Sequence, residues 1–332
     1  MPIFMIGIQR SGSNLLRLML NELPEIAAPH PPHILQRMMP LVPHYGDLDR
    51  KKAFSLLVDD VCRLVESNPV PWEGVVLDRE NVAARCRKRN LVAVFGAVYD
   101  VMAEARGAKT WCCKSLANTY YLPEIEDYFT DAKYIYLYRD GRDVAVSFSK
   151  AVVGEKHFYP IAKEWNEAQQ LALNFRKKVP AKRFFNLSYE DLTTETEKTL
   201  RALCGFLGAG YKPSMLEFYK SGEAKRAASA SNLWENVANP IMKQNSRKFL
   251  KEAREEDIRI FESVAGSSMD SLGYERLFAK KGAELSFGPD DIRRFDMENK
   301  RLKDEIRKHV DPADLDRRSR QESVIKEITA RV

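Results

Sequence analysis

Residues 7–14 read Gly7-Ile8-Gln9-Arg10-Ser11-Gly12-Ser13-Asn14, and this stretch decides the fold. It lies between an apolar run, residues 3–6, and a helical pattern that starts at Leu15. The G-x-x-x-x-G spacing is typical of a loop whose backbone N–H groups converge on phosphate oxygens, while the dipole of the following helix favours the anion. The sequence therefore predicts a strand, a phosphate-binding loop and a helix N-terminus.

The residues after Gly12 indicate which phosphate compound the loop binds. A nucleoside-triphosphate site needs Lys and then Ser or Thr there, to reach the terminal phosphates and to hold Mg²⁺. This chain has Ser13 and Asn14 instead, and its cation is Arg10, inside the loop. The pattern favours a fixed anion bound without an obligatory metal, and it leaves a P-loop kinase of a small molecule as the less favoured alternative.

A second phosphate-type motif follows the apolar run of residues 134–138. The turn reads Arg139-Asp140-Gly141-Arg142-Asp143, and a helix from this point places Ser147 two turns along. A guanidinium, a hydroxyl and a helix N-terminus together suit a phosphate dianion. Alone, the motif would also fit a surface salt-bridge turn without a ligand.

The two motifs together resemble those of the sulfotransferases that use 3'-phosphoadenosine 5'-phosphosulfate (PAPS) as donor. Residues 9–15 resemble that family's 5'-phosphosulfate loop, apart from its leading proline and a Thr replaced by Ser. Residues 139–147 resemble its 3'-phosphate motif, R-D-x-R-D-x-x-x-S. The resemblance implies PAPS as donor, 3',5'-ADP (PAP) as product, no metal, and donor contacts from Arg10, Ser11, Gly12, Ser13, Asn14, Arg139 and Ser147.

Further segments extend the resemblance in the family's order as far as about residue 276. They are residues 111–115, 129–135, 183–192, 199–208 and 271–274. Strand candidates near 3–7, 109–113, 133–138 and 183–187 alternate with helical patterns, which is typical of a parallel sheet covered on both faces. We therefore expect an α/β fold of three layers, a P-loop-like parallel sheet flanked by helices, in a sulfotransferase domain of residues 1–276.

The resemblance also suggests groups that act on the transferred sulfuryl unit. Charge develops on the departing phosphate, and Arg10 with the loop N–H groups suits its stabilisation. Lys114, at the end of a strand candidate, stands where the family has a lysine near the transferred group. An alternative for Lys114 is a structural one, the neutralisation of a surface carboxylate.

The base that takes the acceptor's proton is where the chain departs from the family pattern. Pro31 occupies the position of the relatives' Glu, whereas His33 falls on their histidine and His30 lies nearby. A neutral imidazole suits proton abstraction near pH 7, so we expect His33, or else His30, to be the base. The missing Glu keeps a third class open, a non-catalytic nucleotide-binding protein on this scaffold.

Three later residues are further candidates for donor contacts. Lys248 resembles a family lysine at a helix start, and Tyr189 is expected on the adenine side. Ser231 lies in a segment that closes over the donor in relatives and is a candidate for the 3'-phosphate. Structural alternatives exist for all three: a core aromatic for Tyr189, and a polar linker between two helices for Ser231 and Lys248.

Composition indicates the size of the core, the kind of partner and the cellular location. The 332 residues are 44% hydrophobic, enough for one large core or two smaller ones. The net charge of +6 suits a phosphorylated nucleotide, and without a nucleic-acid motif we expect no nucleic-acid partner. Five cysteines without a C-x-x-C pair, and no apolar run of about 18 residues, predict a cytoplasmic protein with no transmembrane segment.

The acceptor and the C-terminal region are the least defined parts. We expect residues 36–108 to form the acceptor side of the cleft, for a hydroxyl or amine of a small molecule, lipid or saccharide. Residues 277–332 lie beyond the resemblance and read as a charged helical extension, with Pro289 as a helix start. A homodimer through these helices is a further expectation.

Overall fold

The centre of the protein is a parallel sheet of five strands. The structure, a computed structural model, describes residues 1–331 apart from the side chains of residues 232 and 233. The strands are β1 (Ile3–Gly7), β2 (Ile26–Ala27), β3 (Thr110–Cys113), β4 (Lys133–Tyr138) and β5 (Phe184–Ser188). They lie in the order β2-β3-β1-β4-β5, and every pairing is parallel.

Helices cover the sheet and connect its strands. The α-helices of the first half of the described chain are α1 (Ser13–Asn21), α2 (Ile34–Met38), α3 (Lys51–Glu66), α4 (Arg79–Arg85), α5 (Leu91–Ala105), α6 (Leu122–Tyr128), α7 (Gly141–Ser149) and α8 (Phe158–Arg176). Those of the second half are α9 (Tyr189–Thr194), α10 (Thr196–Leu207), α11 (Gly222–Ala230), α12 (Phe249–Glu252), α13 (Glu255–Ser271), α14 (Pro289–Arg307) and α15 (Pro312–Thr329). Short 3₁₀ helices span Met39–Tyr45, Leu116–Tyr121, Ala181–Arg183, Pro213–Lys220 and Asn232–Ala238.

Alternation along β1 divides the core into two layers. Phe4 and Ile6 belong to a buried cluster that includes residues of α3 and α5. Ile3 and Met5 belong to a second cluster with residues of α1 and α10. Successive side chains of a strand point to opposite faces of a sheet, so helices cover both faces. The predicted three-layer α/β fold is confirmed.

The strand predictions agree with the structure to within a residue. Segments 3–7 and 133–138 match β1 and β4, while 109–113 and 183–187 differ by one residue at their ends from β3 and β5. Strand β2 was not predicted. It has only two residues, too few for an alternating pattern.

Strand order brings three loops to one edge of the sheet. Strand β1 lies between β3 and β4 and runs parallel to both, so the carboxyl ends of all three strands meet there. The chain leaves β1 for one side of the sheet and returns on the other side at β4, which makes this edge a topological switch point, where ligands bind in open α/β sheets. The phosphate-type loop, Lys114 and Arg139 consequently follow neighbouring strands.

The C-terminal helices pack on the same chain. Val324 and Ile328 of α15 are buried in the core cluster that contains α3, and the side-chain amide of Gln321 donates to the carbonyl of Leu64 (3.0 Å). Phe295 of α14 is buried against α8 and α13. The predicted helical extension is thus part of the fold, and the homodimer expected through it stays a prediction.

The turn at residues 139–143 contains a buried ion cluster. Arg142 pairs with Asp140 (2.7 Å) and with Glu262 of α13 (2.6 Å), and all three side chains are less than 10% exposed. Glu262 also accepts hydrogen bonds from the backbone N–H groups of residues 277–279. The second half of the motif therefore joins α7 to α13 and to the segment that leads into the C-terminal helices.

We expect Glu262→Ala to destabilise the fold strongly. It leaves Arg142 buried with one carboxylate fewer and three backbone N–H groups without their acceptor, a loss of about 3 to 5 kcal/mol in the free energy of unfolding. Urea denaturation measures this change. Glu255→Ala is the control, because Glu255 begins the same helix in an exposed pair with Arg259 and should cost less than about 1 kcal/mol. Equal losses for the two variants would contradict the analysis.

Candidate functional site

A cavity of about 1010 Å³ opens at the carboxyl edge of the sheet. The loop after β1, Lys114 after β3 and Arg139 after β4 form its floor. Its walls come from α7 and the following residues 150–155, from residues 234–245, and from single side chains of α2 and α15.

Two positions in the loop after β1 require glycine. Gly7 has φ 133°, and a Cβ there would lie 2.2 Å from the carbonyl oxygen of Leu137. Gly12 has φ 86°, and a Cβ there would lie 2.4 Å from Cδ2 of Tyr189. The backbone is thus left-handed and tightly packed where α1 begins, and the first N–H groups of that helix have no partner within it.

Several buried donors of the two motifs have no hydrogen-bond partner among the described residues. They are Ser11 Oγ, Asn14 Nδ2 and Arg139 Nε. Asn14 and Arg139 line the cavity, whereas Ser11 is fully buried behind its wall. A buried donor without a partner costs about 1 to 3 kcal/mol, so the free donors of Asn14 and Arg139 suit a ligand rich in oxygen acceptors, as a nucleotide phosphate is.

The structure brings the two motifs into direct contact. Arg10 Nε donates to Ser147 Oγ (2.9 Å), and Nη1 of Arg139 donates to the carbonyl of Arg10 (3.1 Å). Burial and the charge of Arg139 lower the pKa of Arg10. The two guanidinium groups thus repel each other, and Asp143, 3.9 Å from Arg139, is the carboxylate that pairs with Arg139; an anion in the cavity would stabilise this arrangement further.

Tyr189 contacts both phosphate motifs. Its ring lies against Gly12, the guanidinium of Arg139 is 4.3 Å from its centroid, and its hydroxyl accepts from Nδ2 of Asn245 (2.6 Å). Tyr189 lines the cavity, so the expected adenine contact stays a prediction. What the structure adds is that this ring positions the loop and Arg139.

Lys114 is buried on the cavity floor, with 9% of its surface exposed. No carboxylate lies within ion-pair distance of it in the part of the chain that the structure describes, so the surface-carboxylate alternative has no support. Burial, followed by the charges of Arg17 and Arg10, lowers the pKa of Lys114 to about 7. Its amine is therefore divided between charged and neutral forms near neutral pH.

His33 lies on the cavity wall, where its backbone is left-handed (φ 58°) at the start of α2. Its Nδ1 is 3.0 Å from Ser115 Oγ. Burial, then the charges of Lys114, Arg37 and Arg318, lower the pKa of His33 to about 3, so the ring is neutral at physiological pH. Because Ser115 engages Nδ1, Nε2 is the nitrogen left for a ligand.

His30 lies behind the wall and is not among the residues that line the cavity. Its ring packs 4.5 Å from that of Trp234, and its backbone carbonyl accepts from Nε1 of Trp72 (2.7 Å). Burial lowers the pKa of His30 well below its ordinary value. Of the two histidines singled out by sequence, His33 is the one that a cavity ligand can reach.

The remaining predicted residues have different positions. Ser13 and Lys248 line the cavity at the starts of α1 and α12. Ser231 is buried away from the wall, where its Oγ donates to Asp314 Oδ2 (2.7 Å) and accepts from Arg318 (3.1 Å). Ser231 therefore attaches the segment before Trp234 to α15, in agreement with its structural alternative.

Sequence reasoning missed two basic residues of the cavity. Arg37 comes from α2, one turn after His33, and Arg318 comes from α15. Of residues 36–108, the expected acceptor side, Gln36 and Arg37 line the cavity, while much of the rest packs into the core. The i,i+4 spacing from His33 was a usable clue for Arg37, whereas no local pattern indicates Arg318.

Two features are absent from residues 1–331. No group of three or more His, Cys, Asp or Glu side chains is placed to hold a metal ion. No helix in this range has the length and apolarity needed to cross a membrane.

The chain matches one family model and is similar in fold to solved structures, two of which are described below. The model of the sulfotransferase family matches residues 2–213. The sulfotransferase domain of the Synechococcus PCC 7002 olefin synthase is 20% identical, with 82% of this chain and 94% of that domain covered and a TM-score of 0.54. The sulfotransferase domain of the curacin biosynthetic pathway is 22% identical, with 83% and 99% covered and a TM-score of 0.59. These two likenesses concern the fold.

Two curated relatives are similar at 23% identity. Protein-tyrosine sulfotransferase A of Caenorhabditis elegans aligns over 283 residues, 82% of this chain and 67% of the relative. An uncharacterized protein of Aquifex aeolicus (strain VF5) aligns over 245 residues, 71% of this chain. The alignment spans 29% of the length of the Aquifex protein.

We expect Lys114→Met to stabilise the protein, in a pH-dependent way. Below pH 7 the lysine is protonated in both the folded and the unfolded protein, so folding includes the full free-energy cost of burying its charge. Between pH 7 and its ordinary pKa of 10.5, the unfolded chain holds a proton that the folded one releases, so the free energy of unfolding rises with pH. The variant should therefore gain roughly 2 to 4 kcal/mol at pH 6, and the gain should shrink towards pH 10.

Urea denaturation at pH 6 and at pH 9.5 measures this difference. Lys109→Met is the control, since Lys109 is exposed just before the same strand and its loss should change stability by less than about 0.5 kcal/mol at either pH. A Lys114→Met protein that is less stable than wild type, or equally stabilised at both pH values, would refute the burial argument.

Proposed function

Because the chain belongs to the sulfotransferase family, we propose that it moves the sulfuryl group of PAPS to a hydroxyl or amine of a small molecule, lipid or saccharide. The observation that carries the proposal is the contact between the two phosphate motifs, in which Arg10 bonds Ser147 and Arg139 bonds the backbone of Arg10. Such a pair suits one nucleotide that has phosphates at both its 5' and 3' positions.

The donor end of the cavity supports the proposal through its polarity. The first N–H groups of α1, Asn14 Nδ2 and Arg139 Nε are donors that lack partners among the described residues. Arg10 and Lys114 supply positive charge beside them. PAPS would supply the activated sulfuryl group, and preorganised donors of this kind stabilise charge that develops on a leaving phosphate.

We assign the general base to His33. It is neutral, it lies on the cavity wall, and Ser115 engages Nδ1 so that Nε2 is left for the acceptor hydroxyl. Burial, and then the charges of three cations, lower the pKa of His33 in the free protein. A bound anionic donor beside Lys114 would offset part of that charge and raise the pKa of the imidazole, which improves His33 as a base only when the donor is in place.

The first test is binding of the coproduct. We expect 3',5'-ADP to bind wild-type protein without a divalent cation, as measured by isothermal titration calorimetry. Gly12→Ala should weaken binding at least about 30-fold, because a Cβ at φ 86° collides with Tyr189. The control is Gly205→Ala in α10, where a Cβ would meet nothing within 4 Å, and circular dichroism verifies the fold of both variants.

Two results would count against the donor assignment. Tighter binding of Mg-ATP than of 3',5'-ADP would restore the kinase alternative. Unaltered 3',5'-ADP binding by a folded Gly12→Ala protein would place the nucleotide elsewhere.

The second test concerns the base. Incubation with ³⁵S-labelled PAPS and fractionated host extract identifies an acceptor by its label. We expect His33→Ala to lower sulfate transfer to that acceptor by about 10² to 10⁴-fold, the usual contribution of a general base, with 3',5'-ADP affinity unchanged. His30→Ala is the matched control and should retain activity in the folded protein. Undiminished transfer by a protein that lacks both imidazoles would overturn the assignment.

A further inference from the structure

A second basic region of the cavity is not explained by donor binding. Arg37 of α2 is half-buried, lines the cavity and makes no ion pair within 4 Å among the described residues. Burial lowers its pKa, the charge of Glu322 on α15 opposes this from beyond ion-pair distance, and the charge of Arg318 lowers the pKa further. A half-buried guanidinium without a directly paired carboxylate is costly unless a ligand supplies one.

Hydrogen bonds to Asp314 and Ser231 hold the second cation, Arg318, near Arg37. Nε of Arg318 donates to Asp314 Oδ1 (2.9 Å), and its Nη2 donates to Asp314 Oδ2 (3.3 Å) and to Ser231 Oγ (3.1 Å). Nη1 makes no hydrogen bond within the part of the chain described. The guanidinium also lies 5.6 Å from the ring centroid of Trp234, another residue of the cavity wall.

The cations of the cavity act electrostatically on one another and on His33. Arg139 acts on Arg10, and Arg10 acts on Lys114. Lys114, Arg37 and Arg318 all act on His33, and Arg318 acts on Arg37. The charges of Lys114, Arg37 and Arg318 thus all act on His33, and all four residues line the cavity.

Asp314 pairs with Arg318, but none of the acidic residues that line the wall pairs with Arg37 among the described residues. Most are engaged elsewhere: Asp143 with Arg139 and two backbone N–H groups, Glu155 with Lys303, and Glu252 with Lys150. Glu164 of α8 is the remaining one, and burial raises its pKa towards the uncharged form.

We propose that Arg37 and Arg318 bind an anionic group of the acceptor, so that the acceptor is a hydroxyl or amine compound that also has a carboxylate or phosphate. This inference rests on the proposed function and adds the acceptor class. Planar guanidinium groups bind such oxyanions with paired hydrogen bonds. Trp234 offers an aromatic surface for the rest of the molecule. An anion at this pair would also offset two of the three charges that act on His33.

The experiment uses the full chain saturated with 3',5'-ADP, which occupies the donor site. Benzoate, phenyl phosphate and benzamide are titrated in, and tryptophan fluorescence reports binding because Trp234 is the most exposed of the four tryptophans. We expect benzoate or phenyl phosphate to bind at least about tenfold more tightly than neutral benzamide. Which anion binds better distinguishes a carboxylate from a phosphate acceptor.

Two variants test whether Arg37 and Arg318 cause the preference for anions over benzamide. Arg37→Gln should remove most of it. Arg318→Gln combined with Asp314→Asn should do the same, and the paired change avoids leaving a buried carboxylate without its partner. Arg320→Gln is the matched control, because it removes an exposed charge from the same helix and should keep the full preference.

The outcomes separate this inference from the proposed function. Failure of 3',5'-ADP to bind would refute the donor assignment itself. Normal 3',5'-ADP binding with no preference for an anion, or a preference that both variants retain, would overturn only the acceptor proposal. A sulfated product from host extract with no negative charge besides its sulfate on anion exchange would overturn it as well.

Discussion

Parallel pairing of β1 with β4 is the constraint on which the site depends. It aligns Gly7 with Leu137, so the loops that follow the two strands leave the sheet side by side. Arg139 can then donate to the carbonyl of Arg10, although the two residues are 129 positions apart. The same close approach excludes any side chain at Gly7. The conformation of the loop after β1 and the position of the second motif thus both depend on this pairing.

Several buried polar and charged groups at that edge of the sheet lower the stability of the folded protein. Lys114 is buried without a carboxylate, His33 is surrounded by cations, and donors of Asn14 and Arg139 lack partners within the described residues. By contrast, Arg142 lies in the same turn as Arg139 and is fully compensated by Asp140 and Glu262. Unbalanced charge at one place and complete balance next to it are typical of a binding site on a stable scaffold.

The sequence predicted those strands and loops whose structure depends on a short stretch of neighbouring residues. The strands around Ile3–Gly7 and Lys133–Tyr138 have apolar runs of strand length, and the loop between β1 and α1 has glycines where only glycine fits. Long-range packing determines the rest. The position of Arg318 depends on how α15 lies against α3, and the difference between His30 and His33 depends on the left-handed turn at His33. Neither property has a pattern in a single sequence.

Helix α15 has a consequence for how the protein is made. The strand that begins the phosphate loop leaves the ribosome first, whereas the cavity wall that contains Arg318 follows some 300 residues later. Domains generally fold as units during synthesis, and contacts of such long sequence separation form late. The loops that hold the nucleotide are thus made well before the wall that contains Arg318, and the cavity is complete only once α15 has been made and packed against the core.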